Sequence, residues 1–314
     1  MILKNILITA SNGDLAEAVT GVLEDSFPEI NIFGCESGDL WPAKALIQDV
    51  FKVPKGDSLD YIIEINRIVK INKIDLIIPC SEAELLSFSL AKINKEITCE
   101  ILMPNYELVN IFSDKYLGSE WLRKNKVASP KTCLLSSASI KDLPLIVKPR
   151  FGSGSQGIYK VNSQELLLGL KVEYGDTYIA QEYLDYPDRE FTCALFKMNN
   201  VTRILVMNRR LDAGRTVVAE IIKNDEVELF LMNLIKITNL NGLLNVQLRL
   251  TDNGPRIFEI NPRVSSTVKM RHMLGFCDLV WAIKSMKGER LPDIKKNLKG
   301  TIFRLSREVL KPLN

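Results

Sequence analysis

The sequence predicts an α/β protein: an open parallel sheet in the first third, then a longer region of strands, turns and scattered helices. Three observations lead there. Up to about residue 104, short apolar runs alternate with stretches of helical periodicity. Beyond it, most runs become alternating strands separated by turn residues. A glycine-rich segment there is bracketed by two strands rather than by a strand and a helix. A length of 314 residues suits two or three compact units.

Taken in order, residues 2–9 (ILKNILIT) read as a buried parallel strand, and Ser11-Asn12-Gly13-Asp14 as the turn after it. Leu15, Ala18, Val19 and Val22 then fall on one helical stripe. Strands are expected at 31–34, 75–79 (DLIIP) and 100–103, with helices at 59–71 and 82–94 between them. Ser113-Asp114-Lys115 caps a further helix running to about Asn125. Strands at 145–148 and 158–161 flank the glycine-rich loop, and a helix follows at 163–170. From Tyr178 to Pro262 the pattern is mostly strands and turns, broken by a helix near 226–237, before helices return at 268–287.

Hydrophobic residues make up 46% of the chain and charged ones 25%, with a formal charge of +3, which argues against a dedicated nucleic-acid binder with a basic face. The six cysteines, Cys35, Cys80, Cys99, Cys133, Cys193 and Cys277, form no C-x-x-C pair, so reduced thiols are expected rather than a zinc site or disulfide framework. The apolar start is too short for a signal segment, and no run approaches the ~20 apolar residues of a membrane span. The expected compartment is the cytosol. His272 is the single histidine. Chemistry must therefore run on carboxylates, amides, lysine, arginine and the backbone.

Gly152-x-Gly154-x-x-Gly157 matches the dinucleotide-binding pattern by letter. That pattern needs a strand before it and a helix after it. Here the segments on either side are LPLIVKP and GIYKV, both strands. A flexible hairpin lid fits better, with bare amides able to fold over nucleotide phosphates. A surface hairpin with no ligand is the plainer alternative. Lys148, three residues before the lid, can reach the same phosphates and favours the lid.

The densest polar pattern is Asn245-Val246-Gln247-Leu248-Arg249, a turn at Asp252-Asn253-Gly254, then Phe258-Glu259-Ile260-Asn261-Pro262-Arg263. A hairpin symmetric about Asn253 places Gln247 opposite Glu259 and Asn245 opposite Asn261, all on one face. Val246, Leu248, Phe258 and Ile260 then share the other face. A β-bulge would shift this register by one. Hard oxygen donors without thiol or imidazole suit magnesium, which usually shares its ligands with phosphates. Arg263 continues the face and can hold a transferring phosphate. A solvated polar sheet face is the alternative; the lid and Lys148 weigh against it.

These residues resemble a known family. NVQLRL followed by PRIFEINPRVSST resembles the ATP-grasp core of the carbamoyl phosphate synthetase large subunit and of biotin carboxylase. The lid after VKPR resembles their glycine-rich flap, QEYL their adenine hinge, Glu190 in DREF their ribose acid, and Asp114-Lys115 the start of the module. The resemblance covers about 106–290 and implies a fold of three parts. These are a Rossmann-like pre-ATP-grasp domain (1–105), a small lobe with the lid (106–178) and a C-terminal lobe with the metal site (179–314).

Carried over, the resemblance implies that Lys115, Lys148 and the lid residues Gly152, Ser153, Gly154, Ser155 and Gly157 contact ATP phosphates. Gln181, Glu182, Tyr183 and Leu184 would meet adenine and Glu190 the ribose. Gln247, Glu259 and Asn261 would bind magnesium, with manganese as an alternative metal, and Arg263 would stabilise an acyl phosphate alongside Lys148. The implied activity is a carboxylate–amine ligase releasing ADP and phosphate, with small-molecule acid and amine partners, no nucleic acid, no membrane, and a homodimer left open. A non-catalytic ATP-binding regulator on the same fold is the alternative. A nicotinamide oxidoreductase is weaker, since only Gly13 marks the first turn. One module is present where a complete carbamoyl phosphate synthetase has two. The arginine-rich stretch Arg209 to Thr216 suggests an anionic substrate, although surface arginines explain it equally well.

Overall fold

The computed structural model describes residues 3–152, 154, 156–212, 214–293 and 298–305. Ser153 and Ser155 therefore lie outside the described residues. The chain begins with β1 (Asn5–Ile8), α1 (Asp14–Ser26), β2 (Asn31–Glu36), α2 (Trp41–Lys44), β3 (Asp49–Lys52), α3 (Tyr61–Asn72), β4 (Leu76–Ile78), α4 (Leu85–Ile93) and β5 (Glu100–Ile101). The five strands pair in parallel in the order β3-β2-β1-β4-β5. Both faces of this sheet are covered. Ile6 and Ile8 pack in the core shared with α1, while Leu7 packs in the core under α3 and α4. Burial on both faces is why these strands read as continuous apolar runs. β3 escaped the sequence reading because four residues, DVFK, with charges at both ends carry little strand signal.

After α5 (Tyr106–Phe112) and α6 (Lys115–Lys124) come β6 (Thr132–Leu134), β7 (Leu145–Pro149), β8 (Tyr159–Val161), α7 (Gln164–Tyr174) and β9 (Tyr178–Glu182). The four strands form an antiparallel sheet in the order β6-β9-β7-β8, and the glycine-rich loop is the β7–β8 connection. β9 carries this sheet past residue 178.

The remainder builds a six-stranded antiparallel sheet. It contains β10 (Glu190–Met198), β11 (Val201–Asp212), β12 (Arg215–Ile221), β13 (Gly242–Thr251), β14 (Gly254–Asn261) and β15 (Thr301–Phe303), ordered β14-β13-β10-β11-β12-β15. Helices α8 (Asp225–Ile237), α9 (Val268–Met273) and α10 (Asp278–Met286) complete the chain. Alternation on β10 splits the sheet between two cores. Ala194 and Phe196 join the core containing α1, α9 and α10, whereas Cys193 and Leu195 join the core under α8. The first core thereby joins the parallel sheet to the six-stranded one.

The β13–β14 register is the expected one at its functional end, with Gln247 opposite Glu259 and Asn245 opposite Asn261. Nearer the turn a bulge pairs Leu248 with Ile257 and leaves Phe258 as the extra residue. Phe258 therefore does not share the apolar face, as the symmetric hairpin had it. Ile257 takes that place, fully buried beside Val246 and Leu248, and the Phe258 ring lies 5.6 Å from the Lys148 Nζ.

Candidate active site

A cavity of about 610 Å³ opens between the three sheets. Its wall is the β13–β14 hairpin, presenting Asn245, Gln247, Glu259 and Asn261, with Arg263 just beyond. Its roof is the lid, through Phe151, Gly152, Gly154, Gln156 and Ile158. Lys115 at the start of α6 and Lys148 on β7 line the cavity as well, and Gly13, Asp14, Leu15 and Cys80 contribute to it from the parallel sheet. Ligands of open parallel sheets bind beyond the carboxyl ends of strands where the strand order reverses, and β1 and β4 flank that point here. The turn and helix start after β1 carry Gly13 to Leu15, and the loop after β4 carries Cys80.

Each polar group is held by its local structure. Asp114 caps α6, accepting from the backbone N–H of Tyr116 at 2.9 Å, and is ion-paired with Arg150. That cap fixes Lys115 at the helix start, where its Nζ donates to the Gly152 carbonyl at 2.5 Å. Lys148 is 3% exposed; its Nζ donates to Gln181 Oε1 at 3.0 Å and to the Phe258 carbonyl at 3.2 Å. Burial lowers its pKa to about 8, only partly offset by Glu259. For Glu259, burial alone would raise the pKa, yet Lys115, Lys148, Asn261 and Arg209 together hold it below the usual carboxylate range. Glu259 is therefore an anion facing two cations.

Gln247 Oε1 accepts from Arg209 at 2.7 Å, and the Thr192 hydroxyl donates to Asn245 Oδ1 at 3.0 Å. Arg263 donates from Nη2 to Glu82 Oε1 at 2.8 Å, with both side chains largely buried. Glu82 sits on a loop fastened by Glu84, whose Oε1 accepts from the N–H of Cys80 and Ser81 at 3.0 and 2.8 Å. Its Oε2 accepts from the Tyr61 hydroxyl at 2.6 Å. The parallel sheet thus aims Arg263.

Residues 112–267 match the family model described as ATP-grasp domain. The chain carries an ATP-grasp domain. Every lining residue of the cavity lies in that span except Gly13, Asp14, Leu15 and Cys80. Among relatives, an uncharacterized protein of Mycoplasma genitalium is 28% identical over 53% of this chain and 55% of its own length. The carbamoyl phosphate synthase large chain of a Thermoanaerobacter species is 26% identical over 62% of this chain. The chain spans about half the length of the first relative and 20% of the synthase. In fold, the ADP complex of N5-carboxyaminoimidazole synthetase from Staphylococcus aureus superposes with a TM-score of 0.74 at 17% identity. The match covers 96% of this chain and 82% of that one. Biotin carboxylase from Campylobacter jejuni gives 0.72, also at 17%, covering 96% and 74%.

Within the ATP-grasp domain, the structure brings Lys115, Lys148, Gly152, Gly154, Gln247, Glu259, Asn261 and Arg263 to one cavity. It does not bring Glu182, Tyr183, Leu184 or Glu190 there. Both carboxylate oxygens of Glu190 are taken, by Arg209 at 2.9 Å and Arg249 at 2.8 Å, so it holds two arginines rather than standing free. Glu182 pairs with Arg256 at 2.7 Å, and the Leu184 carbonyl accepts from Arg249. The Tyr183 hydroxyl donates to Asp185 at 3.0 Å. Gln181 lines a second cavity of about 20 Å³ that shares Lys115 and Glu259 with the first. Gly157 is not a lining residue. It anchors the lid instead: a Cβ there would meet the Tyr178 hydroxyl at 2.6 Å, and its φ is +66°.

Sequence reasoning missed Glu82, Glu84 and Thr192. The one available signal was position, since Glu82 follows the carboxyl end of a predicted parallel strand. Among the described residues no group of three or more His, Cys, Asp or Glu side chains could hold a metal. No helix among them is long and apolar enough to cross a membrane.

Proposed function

We propose that this chain is an ATP-dependent carboxylate–amine ligase working through an acyl phosphate and releasing ADP and phosphate. The observation that carries the reading is the Glu259 carboxylate, kept ionised between Lys115 and Lys148 on the same wall as Asn261 and Gln247, with Arg263 beyond. Lys115 and Lys148 would hold nucleotide phosphates, and the lid amides would cover them. One carboxylate flanked by amides suits a magnesium ion that shares its ligands with phosphates, better than a closed protein cage does. Such an ion would neutralise charge on the phosphates. Gln247 must release Arg209 to join it.

Arg263, aimed by Glu82, would steady the γ-phosphoryl group as its bond to the β-phosphate oxygen breaks and a bond to the substrate carboxylate oxygen forms. The amine nitrogen then attacks the acyl carbon, the C–O bond to phosphate breaks, and the amine proton passes to solvent. For adenine to reach Gln181 to Leu184, Arg249 must leave the Leu184 carbonyl; a cavity of about 20 Å³ does not admit a base. We also place the lobe border after β9, because β9 pairs with β6 and β7. Sequential mixing tests the reading. Incubation with Mg-ATP and a carboxylic-acid panel in hydroxylamine should yield a hydroxamate from one acid. ATP consumption that no acid stimulates would instead favour a nucleotide-binding regulator.

A further inference from the structure

The segment 262–267 joins β14 to α9 and belongs to neither. It carries Arg263 to the cavity, and its Ser265, Ser266 and Thr267 line the same space. Outside the sheet ladder, the course of such a segment depends on side-chain bonds. Arg263 donates from Nη1 to the Val264 carbonyl at 2.9 Å, so its guanidinium is aimed by the backbone beside it as well as by Glu82. That carbonyl belongs to the peptide unit joining Val264 to Ser265, and Ser265 is held by Arg271.

Arg271, on α9, is the largest fully buried side chain among the described residues. Its Nη1 donates to the Ser265 Oγ at 2.7 Å and to the Thr267 Oγ1 at 3.0 Å. Its Nε and Nη2 donate to the two carboxylate oxygens of Asp278, at the start of α10, at 2.8 and 2.7 Å. The Ser265 and Thr267 hydroxyls also bond to each other at 2.8 Å. Asp278 thus orients the guanidinium, and the remaining nitrogen grips the residues that follow Arg263. Stability alone does not account for this arrangement. A buried ion pair is commonly matched in stability by two apolar residues of similar volume. A planar fork with fixed donor directions does what they cannot: it sets the positions of two further oxygens.

We propose that Arg271 is a positioning residue for the phosphoryl-transfer end of the site. It touches no reacting atom. Held by Asp278, it fixes Ser265 and Thr267, hence the Val264 carbonyl, and through that carbonyl the direction of Arg263. Giving Arg263 the γ-phosphoryl group rests on the ligase reading; the grip of Arg271 on the segment does not.

The test uses the full chain and compares two nucleotides by calorimetry: Mg-ADP and the magnesium complex of the non-hydrolysable β,γ-imido analogue of ATP. Their affinity ratio reports the γ-phosphoryl contact. Arg271→Met alone leaves the Asp278 carboxylate buried and unpaired, so the informative protein is Arg271→Met/Asp278→Leu, which removes both charges. It should keep a Tm near that of wild type and bind Mg-ADP unchanged, while affinity for the analogue falls about tenfold. Ser265→Ala/Thr267→Val, which keeps the ion pair and removes its two acceptors, should show the same split at about threefold. If the first variant does not fold, the second decides. An unchanged ratio, or an equal loss of both nucleotides, would overturn the proposal. If wild type binds both nucleotides equally, the role given to Arg263 falls instead. Amide exchange then decides the grip in whichever variant folds: faster exchange at 263–267 with β13 and β14 unchanged supports it, and unchanged exchange overturns it.

Discussion

The β13–β14 wall and the β7–β8 lid face each other across one cavity and are built in opposite ways. On the wall, Gln247, Asn245 and Asn261 each have a partner, and the strand backs are fully buried by Val246, Leu248 and Ile257. On the lid, Gly152 and Gly154 have positive φ and nothing within 4 Å of where a Cβ would stand. Among its described residues, the Gly152 carbonyl is held by Lys115, and Tyr178 packs over Gly157. The difference separates two tasks. Charge stabilisation needs groups that do not reorganise during the reaction, whereas admitting a nucleotide and excluding water needs a segment that moves at little cost. Wall variants should therefore change turnover, and lid variants should change access.

The largest effect is expected on the wall. Glu259→Gln removes the carboxylate held between Lys115 and Lys148, and turnover should fall by about 100-fold or more with the fold unchanged by circular dichroism. Near-normal phosphate release from that protein would end the metal assignment. Lys148 comes next, and here binding and stability oppose each other. Its pKa of about 8 means that free protein must take up a proton to bind phosphates above that pH, so ADP affinity should fall about tenfold per pH unit beyond it. Stability moves the other way. The folded chain holds fewer protons than the unfolded chain between pH 8 and about 10.5, so the cost of burying the ammonium, present in full below pH 8, is relieved as pH rises. Lys148→Met should accordingly lose nucleotide binding with a Tm no lower than wild type. A pH-independent Kd from 7 to 9.5 would contradict the burial argument.

Smaller effects should come from the wall's outer support and then from the lid. Glu82→Ala frees Arg263 without touching ligand, and kcat should drop about tenfold with KM for ATP nearly constant. A purely structural role would instead lower Tm and leave kcat of the folded fraction intact. Glu82→Gln, which keeps one hydrogen bond, should recover part of the loss. For the lid, Mg-ATP should slow proteolytic cleavage near Gly154 severalfold. Equal cleavage with and without nucleotide would make the lid a surface hairpin.

Much of the wall was legible in the sequence, and the reason is local. A period of two across a short turn places Gln247 against Glu259 and Asn245 against Asn261 with no knowledge of the rest of the chain. The bulge at Phe258 was not legible, because an extra residue leaves no mark in an alternating pattern. The Glu82–Arg263 pair joins residues 181 positions apart and follows only from how the parallel sheet packs on the rest. Glu190 shows the limit of motif reading: its position matched a ribose acid, but neighbours on β11 and β13, Arg209 and Arg249, take both of its oxygens. Gly157 shows the same limit, since the motif marked it as a phosphate contact and packing made it an anchor.

The most direct test of the central claim is nucleotide chromatography after turnover on a matched acid and amine. Glu259, Lys115, Lys148 and Arg263 gather charge where a γ-phosphoryl group would pass to a carboxylate, so the account predicts ADP and phosphate in equal amounts, formed with the amide product. AMP and pyrophosphate would contradict it, and the role given to Arg263 would fall with it.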